Sequence, residues 1–129
     1  MIKKIHMVIL MQADLEAAVA FYQKLGLQLT FHLKDKWAEF ELEGARLGLC
    51  PGNAKEERRA GIVFEIDNIA QFFQKMNNQV TFASDPIEKL HGIMVSIKDP
   101  NGNIIDLCQP TPKKLKKFIK EVKEKNSSD

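Results

Sequence analysis

Cysteine is scarce in this chain: there are two in 129 residues, Cys50 and Cys108, and they show no CxxC spacing. A disulfide framework or a thiolate metal knot is therefore excluded as an organising device, and both thiols read as small apolar groups in a core. Long hydrophobic runs are missing too. Runs such as Met7 to Met11 fall far short of the roughly 20 apolar residues a membrane span needs. The lysines before Ile5 lead into no apolar region with a small-residue cleavage site, so no secretory signal is expected and the chain is read as cytoplasmic.

Charge of one sign is also weak overall, with a net of +2, but it is unevenly placed. From Pro112 onward seven lysines stand against three acids, giving +4 there and −2 over the rest of the chain. A lysine-rich end can mark a nucleic-acid partner, but no arginine-rich segment or aromatic stacking motif accompanies this one. A solvated surface helix is the expectation, with neither nucleic acid nor a membrane as partner.

What is present is the composition of a soluble folded protein, 44% hydrophobic and 28% charged, at a length that allows one well-buried core. Ile2 to Met11 alternates as a strand, with His6, Val8 and Leu10 on one face and Met7, Ile9 and Met11 on the other. Asp14 is placed to cap a helix whose apolar stripe runs through Leu15, Val19, Phe21 or Tyr22 and Leu25, stopped by Gly26. Three strands follow: Leu27 to Leu33, with Leu27, Leu29, Phe31 and Leu33 on one face; Trp37 to Leu42; and Ala45 to Cys50. After the charged stretch Pro51 to Arg59 the order repeats. Gly61 to Ile66 reads as a strand, Asp67 as a helix cap, Ile69 to Met76 as the helix, and Val80 to Ala83, Gly92 to Lys98 and Ile104 to Cys108 as strands. Ser84 to His91 reads as an irregular loop, and Thr111-Pro112 opens a final helix with Leu115, Phe118, Ile119 and Val122 as its apolar stripe.

The chain thus holds two copies of a β-α-β-β-β unit, at residues 1–52 and 60–110, joined by a linker at 53–59 and followed by a lysine-rich helix and tail at 111–129. Each copy makes a small sheet with one face covered by its own helix, an α+β arrangement forming one structural domain. The strongest local signal is Asp99-Pro100-Asn101-Gly102-Asn103, a tight turn feeding the strand Ile104 to Cys108, from which Asp106 projects opposite Ile105 and Leu107.

Four stretches carry a resemblance: His6-Met7-Val8-Ile9-Leu10, the helix from Asp14-Leu15 through Phe21-Tyr22 to Leu25-Gly26, Gly61 to Asp67, and Gly92 to Leu107. In order and spacing they resemble the vicinal oxygen chelate superfamily, which includes glyoxalase I, the fosfomycin and bleomycin resistance proteins and the extradiol dioxygenases. The resemblance implies paired modules forming a curved, open barrel-like sheet around a chamber, a homodimer, and catalytic metal ligands at four positions. Carried onto this chain, those positions are His6 and Gly61 on the first strands and Gly48 and Asp106 on the last. Only His6 and Asp106 can coordinate, whereas a catalytic divalent metal usually takes at least three protein ligands. Glu39 and Glu65 have the strand parity to join them. Asp106, the candidate catalytic base, is also one methylene shorter than the glutamate usual there, which weakens proton transfer.

The residue readings follow from this. Trp37 offers a flat apolar wall if it faces inward and otherwise packs on an edge. Arg46 either grips a ligand anion or pairs with Glu41 or Glu43 across a hairpin. Gly48 and Gly61 leave room on the chamber floor. His32 and His91 are expected on the solvent side. The leading expectation is a small-molecule-binding protein, metal-free or weakly metal-binding, whose ligand meets His6, Trp37, Glu39, Arg46, Glu65, Met94 and Asp106. The alternative is a lactoylglutathione lyase-like lyase or isomerase using His6 and Asp106 with an off-pattern ligand to hold nickel, zinc, manganese or iron in an incomplete or rearranged site. A third reading is an interaction module that uses neither.

Overall fold

The structure, a computed structural model, describes residues 1–53 and 56–127. Ala54 and Lys55 of the expected linker, and Ser128 and Asp129 of the tail, lie outside the described residues. Close contacts divide the chain into two units, Met1–Ala60 with Lys98–Ile104, and Gly61–Ile97 with the chain from Ile105 onward.

The first unit contains β1 (Met7–Gln12), α1 (Leu15–Lys24), β2 (Gln28–Leu33), β3 (Trp37–Leu42) and β4 (Ala45–Pro51). Its sheet has the order β1-β4-β3-β2, with β1 parallel to β4 and β3 antiparallel to both of its neighbours. The Asp14 side chain accepts from the Ala17 N–H at 3.1 Å, satisfying one orphan donor at the start of α1. Leu15, Ala18, Val19 and Tyr22 then fall on one helical face, and all four are buried. The facing strands supply Phe40, Leu47 and Leu49, each 1% exposed or less, which at roughly 1.5–3 kcal/mol per side chain dominate this core.

The remaining elements, most of their residues in the second unit, are β5 (Arg58–Glu65), α2 (Ile69–Met76), β6 (Thr81–Phe82), β7 (Ile87–Lys89), β8 (Gly92–Lys98), β9 (Asn103–Pro110) and α3 (Pro112–Ser127). The sheet order is β5-β9-β8-β6, and β7 pairs antiparallel with β8. Val95, Ile97, Ile105 and Leu107 are buried, as are Ile69 and Met76 of α2. Phe82 packs against Phe73 and Phe72, with ring centroids 4.6 and 6.1 Å apart. Each unit combines strands of one sheet with helix, the α+β class expected from the sequence.

Several expectations need correction. The first strand begins at Met7, because its partner β4 begins at Ala45 and the pairing opens at Met7 with Arg46. A register shift between Leu29 and Phe31 pairs Leu29 with the buried Phe40 but Phe31 with Glu39 and Leu33 with Trp37. The shift turns Phe31 and Leu33 onto the face opposite Leu29, so the three apolar residues of β2 do not share one side. The second helix is capped by Asn68, whose Oδ1 accepts from the Gln71 N–H at 2.9 Å, and not by Asp67. The loop at 84–91 contains β7, and β5 starts at Arg58.

Candidate functional site

The turn Lys98–Ile104 groups with the first unit, and its chemistry explains why. Asp99 is only 4% exposed. Its Oδ1 accepts from the backbone N–H groups of Asn101 (2.9 Å) and Asn103 (3.0 Å). Its Oδ2 accepts from Gln12 Nε2 (2.8 Å), the Tyr22 hydroxyl (2.9 Å) and Asn103 Nδ2 (2.8 Å). Asn101 continues the network, donating to Gln12 Oε1 (2.7 Å) and the Asp14 carbonyl (2.9 Å) and accepting from the Asp14 N–H (2.8 Å). Arg58 adds bonds to the carbonyls of Met11 (2.6 Å) and Asn101 (3.2 Å). Burial, followed by the Asp99 charge, pushes the Tyr22 phenol far above its ordinary value. Every donor around Asp99 is spent within the fold, so this turn holds the scaffold together.

The side of the first sheet away from α1 has a different character. Trp37, Glu39, Arg46 and Gly48 lie on it, with Met7, Ile9 and Met11 of β1 and Phe31 and Leu33 of β2. Ile9, Met11, Phe31 and Leu33 are all exposed. Trp37 Nε1 donates to Glu39 Oε1 at 2.9 Å, which fixes the indole across β3 and β4. A Cβ on Gly48 would lie 2.7 Å from Trp37 Cη2 and 3.0 Å from the Met7 sulfur. Glycine is needed at this position because the indole already fills the side-chain space. The expectation that Gly48 leaves room is corrected accordingly.

His6 stands one residue before β1 and is exposed. It lines a recess of about 220 Å³ at the β3–β4 turn with Lys4, Glu41 and Arg46, a recess that Trp37 and Glu39 do not line. The Arg46 guanidinium is 3.8 Å from Glu39, so Glu39 is its ion-pair partner rather than Glu41 or Glu43. Counting back seven residues from the helix caps makes Met7 the equivalent of Gly61, since Asp14 and Asn68 are the two cap residues. His6 is thus displaced from the first-strand position by one residue, and Met7 is the residue sequence reasoning passed over. The cap spacing was the signal that could have identified it. His32, expected on the solvent side, is exposed and bonds to Glu16 of α1 at 2.8 Å; that bond is the main reason the Glu16 carboxyl is held below its usual range.

In the second unit, Asp106 Oδ1 accepts from the Ser96 hydroxyl at 2.5 Å, joining β9 to β8. Met94 lies two residues before Ser96 and so on the same side of β8, the alternation that could have flagged Ser96. Gly61 has φ +73° with open space beside it, so its backbone conformation accounts for the glycine. Along β5, Gly61, Val63 and Glu65 form the more exposed side. The Cys108 thiol is pushed up by burial first and by the Glu65 charge second.

The four positions singled out for metal can now be judged by their chemistry. Gly48 and Gly61 supply no donor, and Met7 offers a thioether, a poor ligand for manganese or zinc. Asp106 is already bonded to Ser96. Among the described residues no three His, Cys, Asp or Glu side chains come together in a way that could hold a metal ion. These residues do not fit a tightly held divalent cation.

Comparison with known proteins adds an independent line. The family model described as Glyoxalase/Bleomycin resistance protein/Dioxygenase superfamily matches residues 4–107. The comparison with curated proteins returned no match. Among solved structures, the fosfomycin resistance protein FosX from Listeria monocytogenes, complexed with Mn(II) and 1S,2S-dihydroxypropylphosphonic acid, superposes with TM-score 0.73 at 19% identity, covering 89% of this chain and 96% of that one. The bleomycin-binding protein of Streptomyces verticillus, complexed with copper(II)-bleomycin, gives TM-score 0.67 at 17% identity, covering 86% and 100%. Lactoylglutathione lyase from Agrobacterium tumefaciens gives TM-score 0.65 at 22% identity, covering 81% and 92%. At such identities the likeness is one of fold.

Proposed function

For a chain that belongs to the Glyoxalase/Bleomycin resistance protein/Dioxygenase superfamily, we propose a small-molecule-binding function that needs no tightly bound metal, of the kind named for the bleomycin-binding relative. The observation that carries this reading is the filling of the Gly48 side-chain space by the Trp37 indole and the Met7 sulfur. A position where the family would hold a coordinating side chain has become part of an apolar floor. Trp37 supplies a flat wall for an aromatic or otherwise planar ligand, and Glu39 and Arg46 supply polar handles beside it. His6 acts from the rim of this first-unit face. The protein works as a cytoplasmic homodimer in this reading, in keeping with its two free cysteines.

The test has two arms. Elemental analysis of protein purified without chelator, followed by calorimetric titration with nickel, zinc, manganese and iron, should find no stoichiometric metal. Trp37 emission, the signal of the only tryptophan, should shift with at least one planar compound in a diverse panel and lose that response in Trp37→Phe. Stoichiometric metal lost in both His6→Ala and Asp106→Ala would instead favour the lyase or isomerase reading. That alternative rests on one observation, the retained carboxylate of Asp106 at a family ligand position.

A further inference from the structure

The lysine-rich helix α3 lies beyond the family match, which ends at residue 107, and the site reading leaves it unused. Leu115, Phe118, Ile119 and Val122 recur at the i, i+3, i+4, i+7 spacing that lines one helical face. This face is largely uncovered. Leu115 is half-buried, whereas Phe118, Ile119 and Val122 are 48%, 41% and 39% exposed. At 100° per residue, Lys116 and Lys123 fall along one shoulder of the stripe, and Lys114 and Lys125 along the other. Glu121 falls on the same shoulder as Lys114 and Lys125, and Glu124 projects away from the apolar stripe. The Lys114 ammonium pairs with Glu88 of β7, tying the first turn of α3 to the folded unit.

We propose that α3 is an interfacial anchor that docks, stripe down, on an anionic lipid surface. Two features select this occupant. Lys116 and Lys123, running along the edge of the apolar stripe, can bring their ammonium groups to its plane by snorkelling, which suits a flat negative surface better than a groove. The charge is also concentrated: the segment from Pro112 carries +4, while the rest of the chain carries −2. Packing the α3 stripes of two copies against each other would oppose two such cationic segments, which disfavours a second copy of this helix. Sixteen residues make a helix too short and too charged to span a bilayer, so binding is peripheral and reversible. The earlier expectation of no membrane partner came from the absence of a span and did not anticipate an uncovered apolar face.

The full chain would be sedimented with vesicles of phosphatidylglycerol and phosphatidylcholine, and with phosphatidylcholine alone, at low and high salt. Binding is expected only to the anionic vesicles and should fall steeply with salt. Phe118→Ser/Ile119→Ser/Val122→Ser should abolish it while leaving the circular dichroism spectrum and Trp37 emission unchanged. Lys116→Gln/Lys123→Gln should weaken it by about 30-fold, at roughly fivefold per lysine near such a surface. Absence of binding to anionic vesicles overturns the proposal, as does binding that survives the serine substitutions. A serine variant that changes the oligomeric state without any vesicle binding assigns the face to a second copy instead. A short single-stranded oligonucleotide that binds the full chain when the anionic vesicles do not would assign the lysines to nucleic acid, and would equally overturn it.

Discussion

Replacing Asp99 by asparagine changes one atom of a buried hub, and its cost can be worked out bond by bond. Oδ1 can be kept as the acceptor for the Asn101 and Asn103 backbone N–H groups. The new amide nitrogen then replaces Oδ2 and faces three donors, from Gln12, Tyr22 and Asn103. The Tyr22 hydroxyl can rotate and accept from that amide. Gln12 cannot turn its own amide over without losing the bond that Asn101 Nδ2 makes to Gln12 Oε1. Gln12 Nε2 loses its acceptor and Asn103 Nδ2 keeps only the Met11 carbonyl, at 3.1 Å, so at roughly 1–3 kcal/mol for each bond lost about 4 kcal/mol should go. That is a large share of the roughly 5–15 kcal/mol available to a domain. Tyr22→Phe removes one bond and leaves the carboxylate with four others, so about 1–2 kcal/mol should be lost. In the Asp99→Asn background the same Tyr22→Phe change should cost less, because the hydroxyl then holds a neutral amide bond in place of the stronger, charge-assisted one it gave the carboxylate. Urea unfolding followed by far-ultraviolet circular dichroism measures all four proteins. An Asp99→Asn variant within about 1 kcal/mol of the parent, or strictly additive losses, would refute the reasoning.

Gly48→Ala should lose about 1–3 kcal/mol in urea unfolding, because its methyl group meets the Trp37 indole; in a Trp37→Ala background most of that cost should vanish. Cys108 should be alkylated more slowly than the half-buried Cys50, read by mass spectrometry over time, since burial and the Glu65 charge keep its thiol protonated. Glu65→Gln should speed the reaction at Cys108. The Glu16 carboxyl, lowered chiefly by its bond to His32, contributes stability that is complete above the ordinary glutamate pKa and disappears as pH falls through the lowered value. A pH series of unfolding midpoints for the parent and Glu16→Gln should therefore converge at the acid end.

Local pattern sufficed for the framework of this protein. The Asp14 cap, the helical stripes and the alternation of β3 and β8 lie in neighbouring residues, and both strands occupy the ranges their alternation implies. The repeat, and with it the family, followed from the same short-range signals. The candidate site was legible only in part. Parity along β3 put Trp37 and Glu39 on one face, but the reason for glycine at 48 was invisible, because Trp37 and Gly48 meet only once β3 pairs with β4. The register shift in β2 turned Phe31 and Leu33 over for the same kind of reason, since strand register is a property of two strands.

Asp99 makes the same division of labour visible at one residue. Its sequence neighbourhood determined a turn, because Pro100, Asn101 and Gly102 limit the backbone locally. Its role as a buried hub depends on Gln12 and Tyr22, 87 and 77 residues away in sequence. Only tertiary packing brings such donors together, and the cost of leaving them unpaired in a dry core holds them there.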